Sequence, residues 1–332
     1  MKAFNKTLLI IILLTLFIGI TIFFQERKPY SKVCPTNGQN SSESKLLILG
    51  SNLGVWGDDW YWKVNEPFIK NSNQRKLAKG VIGSFRFPCR NVSDEGLLTV
   101  LDKIDEVGAL PFVVLPANDD TRAEHVVELF GDRVQYYEYG NEVESFLNVE
   151  DYAKRFCEEY PKLKAINPDI KLGGPAQGTT DIEYYDKWAK ALKESCPDVN
   201  PDFISFHKYW AYNNESSEDI LNRVDNFGYE IEAIRNATEG IFNEDLPLIV
   251  SEWNWHAVPE YYGDSRDANP EFMERFTKSV IDVMENHGIF MAHQYCYGSG
   301  CGGGHLDMVS GSEPKPQYQA FLDKKMEFYP EC

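Results

Sequence analysis

The sequence predicts a single α/β domain, a closed (β/α)8 barrel of the TIM-barrel kind, on three observations. Eight short apolar runs recur between residues 45 and 297. Segments with apolar residues at three- and four-residue steps separate most of them, which is helical spacing. The runs are continuously apolar, as strands are when both of their faces are covered. Alternating strands and helices give parallel βαβ units. Eight such units in about 250 residues fit a closed barrel. The rival architecture, a doubly wound open sheet, would carry a Gly-rich phosphate turn after an early strand; GSNLGV (50–55) fits that pattern badly.

The strands in order are KLLILG (45–50), VIGSFRF (81–87), LPFVVLP (110–116), VQYYEYG (134–140), IKLGG (170–174), DFISFH (202–207), LPLIVSE (246–252) and IFMAHQYCY (289–297). Among the intervening segments, 94–108, 151–166, 184–195 and 271–288 carry the clearest helical periodicity. The barrel is expected over 45–332. Ahead of it, residues 7–24 form an uncharged apolar run flanked by Lys2, Lys6, Glu26, Arg27 and Lys28. That run is long enough to be a membrane-span candidate and also fits a secretory signal. Residues 1–28 therefore read as a signal anchor or a signal peptide, and 29–44, polar with Pro, Gly and Ser, as a linker. Both readings put the barrel outside the cytoplasm, with the membrane as a partner if the segment stays uncleaved.

Composition agrees with export. Sequons begin at Asn40, Asn91, Asn214 and Asn236. The seven cysteines contain no C-x-x-C pair, so a structural zinc site is not expected. In an oxidising compartment some should pair: Cys296 and Cys301 are near enough to close a small loop, and Cys34 and Cys332 flank the domain. The net charge of −18, from 51 acids against 33 bases, makes nucleic acid a poor partner. Aromatic residues make up 14 %, with seven Trp and 18 Tyr, which suits flat apolar faces for sugar rings. No cofactor is expected, and the His, Asp and Glu residues lack metal spacing. GSGCGGGH (298–305) lacks the Lys-Ser/Thr ending of a phosphate loop and reads as a βα loop in the cleft wall.

Chemistry on a barrel sits at the carboxyl ends of its strands. Those ends carry Asn52, Trp56 and Trp60, then Arg86 and Arg90, then Asn118 and Asp119. Further ends carry Asn141 and Glu142; His207, Tyr209 and Trp210; Glu252 to Trp255; and His293, Gln294, Tyr295 and Tyr297. Glu142 and Glu252 end the fourth and seventh strands, which are not neighbours in a ring of eight. Their carboxylates can face each other across the mouth, as the two acids of a glycosidase must. Glu138 lies deeper on the same side as Glu142, where it either supports the site from behind or, as the plainer expectation, packs or faces the surface.

"YGNEVE" and "LIVSEWNW" resemble the acid/base and nucleophile motifs of glycoside hydrolase clan A, nearest to family 39 (β-xylosidases, iduronidases) and family 51 (arabinofuranosidases). "SFRFP", "ISFHKY" and "LDMVSGSEPKPQYQAF" are similar to that clan's second-strand, sixth-strand and closing-helix segments. The likeness spans roughly residues 45–325. Those families usually add a β-sandwich domain, and none is expected within residues 45–332.

The resemblance implies a retaining hydrolase of carbohydrate, with Glu142 as acid/base and Glu252 as nucleophile. Glu142 is expected to have a raised pKa, from burial or from the Glu252 charge. Arg86 and Tyr209 are expected to hold Glu252 ionised, and Asn141 to bond the sugar 2-hydroxyl. His207 positions Glu142, touches substrate or is a buried structural residue. Trp56, Tyr295 and one of Trp253 and Trp255, with Trp255 preferred, are expected to contact the sugar. A carbohydrate-binding barrel that has lost activity is the alternative. A serine ester or amide hydrolase is disfavoured, because no G-x-S-x-G elbow is present.

Overall fold

A computed structural model describes residues 47–54, 59, 66–211, 215–259 and 263–328. The N-terminal segment, the linker, Trp56, Trp60, Cys34, Cys332 and the sequons at Asn40 and Asn214 lie outside the described residues. Among the described residues no helix is long and apolar enough to cross a membrane.

Eight parallel strands close into a barrel in sequence order, and all eight expected strands are present. They are β1 (Ile48–Asn52), β2 (Ser84–Pro88), β3 (Leu110–Leu115), β4 (Tyr136–Tyr139), β5 (Lys171–Gln177), β6 (Ile204–Ala211), β7 (Leu248–His256) and β8 (Met291–Gln294). Closure is made by β1 lying beside β8, with Ile48 opposite Met291 and Ser51 opposite Gln294. The helices are α1 (Pro67–Lys70), α2 (Ser72–Ala78), α3 (Asp94–Val107), α4 (Asp120–Phe130), α5 (Val149–Ile166), α6 (Ile182–Ser195), α7 (Ser217–Val224), α8 (Phe227–Phe242), α9 (Pro270–Asn286) and α10 (Pro316–Phe328). A short hairpin, β9 (Val309–Ser310) with β10 (Glu313–Pro314), precedes the last helix.

Helix α3 shows how sequence sets an element. Ser93 caps it by accepting from the Gly96 amide at 3.2 Å, which satisfies one of the orphan donors of the first turn. Leu97, Val100, Leu101, Ile104 and Val107 recur at helical steps and are buried against the sheet, each contributing roughly 1.5–3 kcal/mol. Gly108 ends it in the left-handed region at φ 75°, where a Cβ is costly.

Strand alternation divides the interior from the helix-facing core. In β2, Phe85 and Phe87 join the large cluster under the helices, so Ser84 and Arg86 take the other face. The lower interior is filled by Phe112, Phe203, Ile249 and Met291. Above that plug His293 meets Phe112 at 4.9 Å between rings and Ser84 Oγ at 2.9 Å from its Nε2. The polar layer of the site rests on this floor.

One expected disulfide can be placed: Cys296 and Cys301 are bonded. Cys157 and Cys196 are bonded as well, a pair not anticipated from the sequence, and tie α5 to the end of α6. Cys89 is a buried free thiol, pushed up to about 12 by burial.

Candidate active site

The site is built around one buried guanidinium. Arg86 Nη1 donates to Glu252 Oε1 at 2.7 Å and to Asn52 Oδ1 at 2.9 Å. Its Nε donates to Glu138 Oε2 at 2.8 Å, and its Nη2 donates to Asn141 Oδ1 at 2.6 Å. One planar fork thus gathers the ends of β1, β2, β4 and β7, a geometry that guanidinium provides and an ammonium does not. Burial pulls its pKa down, but the charges of Glu138 and Glu252 outweigh that pull and raise it. Asn52 is held by Nδ2 bonds to the Ser251 and His293 carbonyls at 3.1 and 3.2 Å. Glu138 is fully buried and ion-paired to Arg86 at 2.6 Å. The packing or surface role expected for Glu138 is corrected here: strand parity turns it inward beneath Glu142, where only a cation makes its burial tolerable.

Glu252 accepts a second bond from the Tyr209 hydroxyl at 2.8 Å. Burial and the Glu252 charge drive the Tyr209 phenol well above its ordinary pKa, so it remains a donor. Strands β6 and β7 run past their neighbours, to Ala211 and His256. That extra length carries Tyr209 and Asn254 to the rim.

Glu142 follows β4 through Gly140. At φ 91° Gly140 turns the chain, and a Cβ there would meet Val143 Cγ1 at 2.4 Å. Glu142 itself lies in the left-handed region, φ 45° and ψ 46°, a conformation costing a non-glycine residue roughly 1–2 kcal/mol. Its amide donates to the Ala176 carbonyl at 2.8 Å, and its own carbonyl accepts from the Ser145 amide at 3.1 Å and hydroxyl at 2.7 Å. The strand thus passes directly into a fixed carboxylate.

His207, fully buried, places Nδ1 3.0 Å from Glu142 Oε1 and 3.7 Å from Glu252 Oε2. Ligand atoms of Glu142, His207 and Glu252 lie within 4.8 Å of one another. The hydrogen bond from His207, helped by its charge and that of Arg86, lowers the Glu142 pKa despite partial burial. This corrects the expected rise. The Glu142 side chain is 45 % exposed, so desolvation is modest and the imidazole wins. On His207 burial acts downward, but the Glu252 charge and the Glu142 hydrogen bond raise its pKa overall. The pair therefore keeps its proton on the histidine side.

The sequence-derived residues Arg86, Asn141, Glu142, His207, Tyr209 and Glu252 converge in this way. Tyr295 is half-buried at the end of β8, its main chain accepting from Asn254 Nδ2 at 2.5 Å. Trp255 does not face the cleft. It is buried, with its ring 6.3 Å from that of Phe272 on α9 and 5.8 Å from the Arg266 guanidinium. Trp253 likewise stacks on Phe321 of α10 at 6.0 Å. Residues two apart on a strand share a face, so both tryptophans turn to the helices while Glu252 and Asn254 turn inward. The sequence places Asn254 at a strand end but gives it no role, and it does not mark the buried acids Glu66 and Asp307. Parity from Glu252 would have found Asn254; Glu66 carried no signal.

The stretch 130–273 matches the family model for Glycosyl hydrolases family 39, and it contains both glutamates. Over that stretch the chain is similar to family 39 of the glycoside hydrolases. The chain shares its fold with a monomeric beta-xylosidase from Caulobacter crescentus CB15: TM-score 0.64, 13 % identity, 82 % of this chain and 67 % of that one. A family 51 alpha-L-arabinofuranosidase from Bifidobacterium longum aligns with TM-score 0.66 at 12 % identity, over 87 % and 75 % of the two chains. A family 39 glycoside hydrolase from Bacteroides cellulosilyticus WH2 gives 0.53 at 15 %, over 86 % and 64 %. No curated protein matches this chain in sequence.

Proposed function

We propose that this chain hydrolyses O-glycosidic bonds with retention, Glu142 serving as acid/base and Glu252 as nucleophile. The observation that carries this is the approach of the Glu142 and Glu252 carboxylates to within 4.8 Å. Retaining enzymes hold their acids about 5–5.5 Å apart, whereas inverting ones leave about 6.5–9.5 Å for a water. Glu252 attacks the anomeric carbon as Glu142 protonates the departing oxygen. The proton comes from the Glu142–His207 pair, which titrates as a unit. Arg86 and Tyr209 hold the nucleophile in one orientation. In the glycosyl-enzyme the Glu252 charge is gone, and Glu142 then takes a proton from the attacking water. With Oδ1 on Arg86, Asn141 keeps Nδ2 for a sugar hydroxyl.

A panel of aryl xyloside, arabinofuranoside, glucoside, galactoside, mannoside and glucuronide decides the sugar. Turnover of one member is expected, with a loss on the order of 10⁴-fold or more in Glu252→Ala. NMR of the first-formed anomer should show retention; an inverted product sinks the mechanism.

The same reading places the barrel outside the cytoplasm, anchored or released through residues 1–28. The apolar run 7–24, the bonded pairs Cys157–Cys196 and Cys296–Cys301, and the exposed sequon residue Asn236 support this. Expression with an extracellular protease added to intact cells tests it: a barrel that stays protected overturns the placement.

A further inference from the structure

A hollow of about 430 Å³ opens between the ends of β2, β3 and β4, beside the acid. Its walls include Arg90, Asn91, Asn118, Glu142, Ser145 and Phe146. Two of these residues, Arg90 and Phe146, have no use in the chemistry above. Arg90 is exposed and makes no ion pair or hydrogen bond among the described residues, in a chain where most cations are paired. Arg90 and Glu142 are the two charged side chains of the wall, and they rise from β2 and β4, on opposite sides of the β3 end. Phe146 is 52 % exposed, one of few large apolar side chains that are. Its main chain is fixed one turn after Glu142, where its amide donates to the Val143 carbonyl at 3.0 Å.

We propose that this hollow is a leaving-group subsite for an anionic sugar residue, with Phe146 as the platform for its ring and Arg90 as the cation for its carboxylate or sulfate. The proposal rests on Glu142 being the acid, since the group that it protonates then departs into the space on its own side. A flat aromatic beside a planar guanidinium fits a charged pyranose: the ring's apolar face lies on Phe146, and the anion takes a forked bond from Arg90. The net charge of −18 works against anionic ligands in general. A local unpaired cation is what admits one here. Asn118 supplies a further donor without adding charge.

The test uses 4-carboxyphenyl, 4-sulfophenyl and 4-carbamoylphenyl glycosides of the sugar that the aryl panel identifies. The third is a neutral isostere of the first. Wild type should favour the charged leaving groups, and Arg90→Gln should reduce kcat/KM on them by about tenfold, the worth of one charged hydrogen bond. The carbamoyl substrate should change by less than about twofold in Arg90→Gln. Phe146→Ala should raise KM on all three. A fall confined to the carboxyl substrate identifies a uronate, and one confined to the sulfonate identifies a sulfated sugar. An unchanged ratio of charged to neutral turnover in Arg90→Gln overturns the subsite while leaving the hydrolase reading intact. Absence of Glu252-dependent turnover on the neutral substrate overturns both.

Discussion

Two groups of buried carboxylates in this protein differ in one respect, the presence of a cation. Glu138 and Glu252 sit on Arg86, at 2.6 and 2.7 Å. Glu66 and Asp307 lie under the loop after β8 and are held by neutral donors. Glu66 accepts from Ser299 Oγ at 2.9 Å and from the Phe68 amide at 3.2 Å. Asp307 accepts from the amides of Gly300 and Cys301 at 3.0 and 3.1 Å. Burial raises Glu66 to about 7 and Asp307 to about 6, and these hydrogen bonds only partly oppose it. The neutral donors at Glu66 and Asp307 do not offset the cost of burying the charged form. The carboxylates at the barrel mouth touch a guanidinium directly, whereas in the loop group the Lys315 charge only partly opposes the rise at Asp307.

Removing the cation should break the first group outright. Arg86→Met leaves two buried acids without a partner, and a loss of about 3–5 kcal/mol is expected in urea unfolding. Adding Glu138→Gln to Arg86→Met should restore part of it. If Arg86→Met unfolds at the wild-type midpoint, the ion pairs do not carry the stability assigned to them.

A smaller effect is expected at the loop. The Glu66 pKa is higher in the folded chain than the ordinary 4.5. The folded state therefore holds the proton more tightly, and the stabilisation is full below about pH 4.5 and lost as pH rises to about 7. The slope should be on the order of 1 kcal/mol per pH unit in that window. Glu66→Gln should flatten that component of a thermal-melt pH series. An unchanged slope would mean that Glu66 is solvated or already charged.

The finest comparison is inside the site. His207 is raised and Glu142 lowered by their mutual bond. The alkaline limb of kcat/KM, on substrates whose leaving group needs protonation, should then follow the proton of the pair. In His207→Asn that limb should move to lower pH, because Glu142 alone gives up its proton sooner. A limb that moves upward would show that Glu142 works as acid independently of the imidazole.

These comparisons also separate what the chain's pattern conveys from what the folded barrel adds. The order and continuity of the apolar runs were enough for the eight strands and their closure, because burial on both faces leaves that mark in any strand. The positions of Arg86, Asn141, Glu142, His207, Tyr209 and Glu252 at strand ends were legible for the same reason. Trp255 was misplaced although the rule of two that corrects it is local. That was a failure of reading rather than of information. The Glu142 pKa is different in kind. It depends on an imidazole 65 positions away whose Nδ1 happens to lie at 3.0 Å. Likewise Arg86 and Glu252 are 166 positions apart, and nothing periodic states that one guanidinium will bridge four strand ends. By itself the sequence determined the barrel and the set of residues at its mouth, since both follow from periodicity along the chain. Only the tertiary structure decided which of them share a proton, which carboxylates gain a cation, and that Arg90 and Phe146 border one hollow. Electrostatic energies depend on distance through space and on burial, and ring closure alone sets both.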